Sequence, residues 1–289
     1  MRDYSKPHFP IKDQIQLLKE RGLIIKDEAY AEHLLTNTNY YRLSGYCLPF
    51  EKSRHVFKED ITLDDVVSLY EFDSSLRNLI DEALEIIEIS VRTTSVIVLT
   101  ERYGSFAHED NSIYYNFVNF SDWLNRIHQE ADRSRETFIK HYKDTYNGFP
   151  RIPFWMAVEI MSFGSLSQLI SRLKRSDQVI ISKKFNLHHS VFVSWLHTFT
   201  YIRNLCAHHS RLWNKELAIE LKMPNSASSI NISTRKIGSV LYSINQMLKE
   251  ICVPQSDWFS RLSLLIKENI DGGMLSAMGL PDNWEESLK

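Results

Sequence analysis

The stretch from Trp195 to Asn214 places the tightest constraint on how this chain of 289 residues folds. Successive residues of an α-helix turn by about 100°, so residues three or four apart share a face. On that period the stretch divides into a narrow apolar stripe and an opposite polar face, and it predicts one continuous helix. The stripe consists of Trp195, Phe199, Ile202, Cys206 and Trp213, and the polar face of Asn204, His208 and Arg211.

The remainder of the chain is also helical in pattern, and the fold class we expect is mainly α, a helical bundle with a small N-terminal module. Residues 1–60 form that module, residues 61–252 the main helical domain, and residues 253–289 a C-terminal helical extension. In the module, helical spacing over Ile11–Arg21 and a helix capped by Asp27 precede two short strands, Cys47–Phe50 and Val56–Lys58. This order fits either a winged-helix-like unit or a helical cap packed on the main domain.

A second long helix is predicted between Thr62, which can cap its first turn, and Gly104, which can end it. Glu88 and Arg92 lie four residues apart on the polar side of this helix. Such a pair is ordinary on a solvated charged stripe. The alternative is that Glu88 or Arg92 faces the helix that begins near Trp195.

Composition excludes several classes of protein. The net charge of −2 rules out a strongly basic nucleic-acid-binding surface spread over the whole chain. The region 126–142 is the best local basic surface, and it fits either single-stranded RNA or an ordinary exposed helix. Three widely separated cysteines indicate neither a disulfide framework nor a zinc site, and no apolar run is long enough to span a bilayer. We therefore expect a cytoplasmic protein with no cofactor, no metal and no membrane association.

The central stretch contains an Arg-x4-His element, Arg203 to His208, inside the run Arg-Asn-x-x-Ala-His-His-x-Arg-Leu-Trp-Asn. That run resembles the Abi-D/Abi-F-type abortive infection proteins of bacteria, a branch of the HEPN superfamily. Four further segments resemble the same family, in the same order along the chain. They are Asn39–Tyr46, Leu69–Asp73, Glu88–Arg92, and Pro153–Met156 with Ser162–Gly164.

The resemblance implies a HEPN-like bundle and a toxin that cleaves RNA during phage attack, restrained by an RNA or protein antitoxin. The residue types suit that chemistry. Histidine transfers protons near neutral pH, and arginine grips phosphate oxygens with parallel donors. No metal is then required, because the 2′-OH of the RNA can attack the adjacent phosphate. We accordingly expect Arg203 and His208 to be catalytic; without the resemblance, a purely structural pair would be the default interpretation.

The spacing of the element adds a geometric expectation. Arg203 and His208 lie about 140° apart on an ideal helix, whereas Asn204 and His208 share a face. We expect Asn204 to orient one of the other two side chains, and the site to be completed by a bend or by a second copy of the chain. HEPN proteins of similar pattern use a dimer cleft, so the resemblance implies a homodimer.

For the neighbouring residues, a structural role remains an alternative to a functional one. His209 lies near the apolar stripe and is expected to be a structural partner, while Arg211 fits RNA contact or a salt bridge equally well. Cys206 and Trp213 are expected in the core. Two other functions compete with the ribonuclease: an RNA-binding HEPN protein without catalysis, and a DNA-binding regulator acting through residues 1–60.

Overall fold

A computed structural model describes residues 8–227, 230–252 and 256–289 of the chain. In that part the protein is 68% helical and contains fourteen α-helices and one two-stranded sheet, so the mainly-α prediction is confirmed. The helices are α1 Ile11–Glu20, α2 Glu28–Thr38, α3 Tyr40–Cys47, α4 Leu63–Tyr103, α5 Phe120–Arg133, α6 Thr137–Thr145, α7 Phe154–Ile160, α8 Phe163–Arg172, α9 Arg175–Lys183, α10 His189–Ala207, α11 Ile237–Ile251, α12 Trp258–Asn269, α13 Gly272–Met278 and α14 Trp284–Leu288. The strands are β1 Glu51–Ser53 and β2 Val56–Phe57.

The chain divides into two compact units. The first consists of Met1–Arg77 and Leu264–Met274, and the second of Asn78–Ser263 and Leu275–Lys289. This division differs from the three-part organisation expected from the sequence, which stays a prediction. The expected boundary at residue 253 lies outside the described residues.

In the first unit, three short helices precede the antiparallel pair β1–β2. Asp27 caps α2 as predicted, since its carboxylate accepts a hydrogen bond from the backbone N–H of Tyr30 at 3.0 Å. The predicted strand Cys47–Phe50 is wrong, because Cys47 ends α3 and the next three residues form a 3-10 turn. The sequence pattern missed α3, which begins after Asn39 adopts a left-handed conformation (φ 67°) and caps the backbone N–H of Tyr41. The winged-helix-like interpretation stays a prediction.

A buried polar cluster stabilises the first unit. Tyr46 donates a hydrogen bond from Oη to Asp73 Oδ2 at 2.7 Å, and Arg77 forms an ion pair with the same carboxylate. Burial, together with the Asp73 charge, raises the pKa of the Tyr46 phenol. Tyr46 and Asp73 belong to two of the segments that carry the family resemblance, and both have a structural role in this unit.

In the second unit, α10 packs against α8, α9 and α11. The turn between α7 and α8 is at Met161 and Ser162, where the Ser162 hydroxyl caps the N–H of Ser165 at 3.1 Å. The helical pattern of the sequence also predicts a break at Gly164, and this prediction is wrong. Gly164 lies inside α8, where a Cβ would be in ordinary van der Waals contact with Thr200 Cγ2 on α10, at 3.4 Å.

Two other contacts in this unit bring distant segments together. Trp258 donates a hydrogen bond from Nε1 to the carbonyl of Leu79 at 2.8 Å, across 179 positions of sequence. At Gly238 the backbone of another segment approaches so closely that a Cβ would be 2.9 Å from the Met278 carbonyl oxygen. Substitution at Gly238 would therefore force the backbone to shift.

Candidate active site

The helix that carries the Arg-x4-His element is anchored along its apolar stripe. Trp195, Phe199 and Ile202 have no exposed surface, and Cys206 is also buried. Trp195 Nε1 donates a 2.8 Å hydrogen bond to the carbonyl of Lys222, which fixes the indole in the core. The four members of the predicted stripe that lie on this helix are buried as predicted, and the polar residues between them are held on a well-packed helix.

The helix ends at Ala207, whereas the sequence pattern predicted that it continues to Asn214. The N–H of His209 donates to the Cys206 carbonyl at 2.9 Å, and the N–H of Ser210 donates to the Leu205 carbonyl at 2.8 Å. This pair of bonds is a Schellman motif, which requires a left-handed residue after the cap. Here that residue is His209 (φ 53°), although glycine is favoured at this position. The sequence has no glycine at this position, and the buried Leu212 and Trp213 continue the apolar pattern beyond it. The periodicity therefore predicted a longer helix.

The early end of the helix corrects two expectations. Arg211 lies beyond α10, so it shares no helical face with Asn204 and His208, and it is partly buried. His209 is exposed at the left-handed turn and does not lie against the apolar stripe. Trp213 is buried as expected, but it lies in the segment after the helix and not on the helix itself.

Arg203, Asn204 and His208 are all exposed in the last turn and cap of α10. The N–H of His208 still donates to the Asn204 carbonyl at 3.0 Å, so His208 keeps its helical position and the angle of about 140° to Arg203. Within the described part of the chain, no hydrogen bond or ion pair engages these three side chains. A structural Arg203–His208 pair is not formed, and the orienting role of Asn204 stays a prediction.

Glu88 and Arg92 form the expected i, i+4 ion pair on α4, with Arg92 Nε donating to Glu88 Oε1 at 3.1 Å. The pair is not part of a solvated stripe, because the Arg92 and Glu88 side chains are only 13% and 15% exposed. Arg92 Nη2 also donates to the Met161 carbonyl at 2.8 Å, which places a cation at the C-terminal end of α7. The next turn carries Gly164, the residue that packs against α10.

Glu88 and Arg92 are thus linked to the motif helix through the α7–α8 turn. Gly164 lies against Thr200, and Arg203 and Asn204 follow Thr200 by one helical turn. No direct bond joins Arg92 to Arg203 in the described residues. The Glu88–Arg92 pair therefore positions the turn that supports α10, while contact of the pair with RNA stays a prediction.

The sequence interpretation missed a histidine group on other elements of this unit. His108 is fully buried and stacks on Phe154 with ring centroids 5.3 Å apart. Burial, with the charges of His128 and Arg151 nearby, lowers the pKa of His108 to about 3. His128 Nε2 lies 3.3 Å from Glu109 Oε1, and Glu109 also pairs with Arg151. Nothing in the sequence connects Glu109, His128 and Arg151, which are 19 to 42 positions apart.

The structure supplies two further observations on the class of site. In the described ranges, no three His, Cys, Asp or Glu side chains are grouped to hold a metal ion. Over the same ranges, no helix has both the length and the apolar character needed to cross a membrane.

These features define a class: a mainly helical protein that presents arginine, asparagine and histidine, unbonded in the described structure, at the end of a deeply buried helix. The chain belongs to the Abi-like protein family, whose model matches residues 33–214. The match contains all five segments named above and ends at Asn214, the last residue of the motif run. The family connects the chain with abortive infection, a defence against phage. No curated protein and no solved structure matches the chain.

Proposed function

We propose that this protein is an endoribonuclease of phage defence that cleaves RNA without a metal ion. The observation that carries the proposal is the exposed trio Arg203, Asn204 and His208 on a helix whose other face is fully buried. A surface arginine and histidine without structural bonds among the described residues are available to a ligand. Because α10 is already packed in the folded protein, little conformational entropy is lost in positioning these side chains when RNA binds.

The proposed reaction uses the RNA's own nucleophile. The 2′-OH oxygen attacks the adjacent phosphorus, and its proton passes to an imidazole acting as general base. The bond from phosphorus to the 5′-oxygen breaks, and a protonated imidazole donates a proton to that oxygen. Arg203 binds the phosphate oxygens and stabilises the charge that develops on them. The products are a 2′,3′-cyclic phosphate and a 5′-OH end.

The proposed site is composite and formed by a homodimer. The side chains of Arg203 and His208 lie about 140° apart around the helix axis, so in one copy of the chain they point in different directions. An uncharged stripe on α4 supports the dimer: Ile89, Thr93 and Ile97 are exposed at intervals of four residues, beside the Glu88–Arg92 pair. A two-fold axis would place this stripe against the same stripe of a second copy and bury both.

The dimer is tested by light scattering with substitutions in the stripe. Ile89→Glu with Ile97→Glu should convert a species of two chains into one and abolish RNA cleavage. Val179→Glu on α9 is the matched control, because Val179 is similarly exposed but lies on another helix. A monomer that cleaves RNA at the wild-type rate would rule out the composite site.

The reaction is tested on a single-stranded synthetic RNA in EDTA, with mass spectrometry of the fragments. Cyclic phosphate ends are expected, and a 2′-deoxy residue at the cut position should block cleavage. His208→Ala should reduce the rate by about 100-fold or more, the usual contribution of a general acid or base. Exposed His197, on the same helix, provides the control His197→Ala, which should cleave normally. Cleavage that requires Mg²⁺ and yields 5′-phosphate ends would contradict the mechanism.

The same assay separates cleavage from simple binding. Arg203→Lys keeps the positive charge but loses the planar fork, so it should retain RNA binding and lose most of the rate. If the wild-type chain binds this RNA and leaves it intact, the non-catalytic RNA-binding alternative replaces the ribonuclease.

A further inference from the structure

Helix α5 borders a groove that the Arg-x4-His element does not explain. Its apolar face is buried through Trp123, Ile127 and Ala131. The opposite side contributes five residues at helical spacing to a groove of about 700 Å³, within the range of small-ligand sites. The lining residues are Asn125, His128, Gln129, Asp132, Arg133 and Pro150.

The acidic groups in and beside this groove already form ion pairs with cations. Asp132 pairs with Lys143 at 3.2 Å. Glu109, which contacts the His128 ring, forms an ion pair with Arg151, and the Arg151 guanidinium lies 4.4 Å from the centre of the Phe106 ring. Carboxylates held in this way do not repel an incoming anion strongly.

Arg133 is the remaining charge of the groove. It is exposed, and across the described residues no carboxylate pairs with it. Arg133 also borders a second groove of about 590 Å³, which is lined by Arg135 and by the carboxylates of Glu130, Glu136 and Glu159. In that groove the three carboxylates outnumber the two arginines. An anion that binds Arg133 is therefore directed into the first groove, where the carboxylate is paired.

The amides of Asn125 and Gln129 decide what kind of anion fits. They lie four residues apart on one face of α5, and each offers donors and an acceptor. Side chains of this type hydrogen-bond to the edges of nucleobases, whereas arginine forms charge-assisted bonds to phosphate. A simple inorganic anion would leave both amides unused.

We propose that this groove binds one nucleotide, with Arg133 on its phosphate and Asn125 and Gln129 on its base. The nucleotide is either free or part of a single-stranded RNA. The site is separate from the Arg-x4-His element and does not depend on cleavage, so the two proposals can fail independently.

The test uses the full chain and two probes, adenosine 5′-monophosphate and a 2′-O-methyl RNA hexamer. The hexamer lacks the attacking hydroxyl, so its binding is measured without cleavage. Arg133→Ala should weaken binding by about tenfold or more, since a charge-assisted hydrogen bond is lost. Arg126→Ala is the matched control: Arg126 is exposed on the same helix and lines neither groove. It should change binding by less than about twofold, as a distant surface charge does.

A second readout localises the ligand. The side-chain amide NMR signals of Asn125 and Gln129 should shift on titration with the probe that binds. Binding of the monophosphate supports a free nucleotide, and binding of the hexamer alone supports an RNA strand. Equal weakening by Arg133→Ala and Arg126→Ala, or amide signals that do not move, would overturn the proposal.

Discussion

Replacement of His108 should remove a large part of the acid sensitivity of this protein. The His108 ring is fully buried, and neither ring nitrogen has a hydrogen-bond partner among the described residues. Its pKa falls from an ordinary 6.5 to about 3 in the folded chain. Between these values the unfolded chain binds a proton at His108 and the folded chain does not. Stability from the neutral ring is therefore present above about pH 6.5 and is lost as the pH falls toward 3.

The magnitude follows from linkage. Each pH unit below the unfolded pKa costs about 1.4 kcal/mol until the folded pKa is reached. Lowering the pH to about 4.5 should therefore remove about 3 kcal/mol of unfolding free energy through His108. His108→Leu has a similar volume and cannot titrate, so it should lose that much less stability than the wild type over the same interval. Near neutral pH it should be as stable as the wild type or more so, because a buried unsatisfied polar group is removed.

The assay is urea denaturation at a series of pH values, followed by tryptophan fluorescence. His108→Gln, polar and uncharged, repeats the test if the apolar variant does not fold. His33→Gln is the control for loss of one histidine, because His33 is exposed to water when folded and when unfolded. Equal acid destabilisation in the wild type and in both His108 variants would refute the reasoning.

Three further predictions concern stability and are checked by the same denaturation assay. Asp73→Asn should cost about 3–5 kcal/mol because it leaves a buried cation without its partner, whereas Tyr46→Phe should cost only about 1–2 kcal/mol. Gly238→Ala should destabilise by about 1–3 kcal/mol through its clash with the neighbouring backbone, while Gly272→Ala, where a Cβ meets nothing within 4 Å, should not destabilise. His209→Gly should be more stable than His209→Ala by about 1 kcal/mol, since both lack the ring and only alanine is strained at a positive φ; equal stability would contradict the left-handed conformation.

Periodicity predicted the elements whose ends carry ordinary signals. Helix α4 begins after Thr62 and ends before Gly104 (φ 84°), as expected from its cap and its glycine. Periodicity did not predict the helix boundary where a residue other than glycine adopts a positive φ. Helix α3 begins after Asn39, and the turn that follows α10 is made by His209; both residues adopt positive φ without being glycine. Single-residue conformations of this kind depend on tertiary packing, which a sequence pattern does not contain.

The exposure of the candidate residues could be predicted from the sequence, but their surroundings could not. Arg203 and His208 were placed off the buried stripe, and the structure places both on the surface. The burial of Glu88 and Arg92 could not be read from the sequence, because the Met161 carbonyl that Arg92 binds is 69 residues away. The groove on α5 was equally hidden, since its acidic residues are paired only with partners brought together by folding.

The hydrogen bond from Trp258 to the Leu79 carbonyl has a consequence for synthesis. The two residues are 179 positions apart, and a ribosome adding about 5–20 residues per second takes about 10–35 s to make the intervening chain. By the time Trp258 is made, the segment that bears Arg203 and His208 has already been synthesised, while the Leu79 carbonyl still lacks its indole partner. Completion of this unit is thus delayed until after the residues of the candidate site are made. A newly made chain accordingly passes through a period in which the motif exists but its scaffold is unfinished.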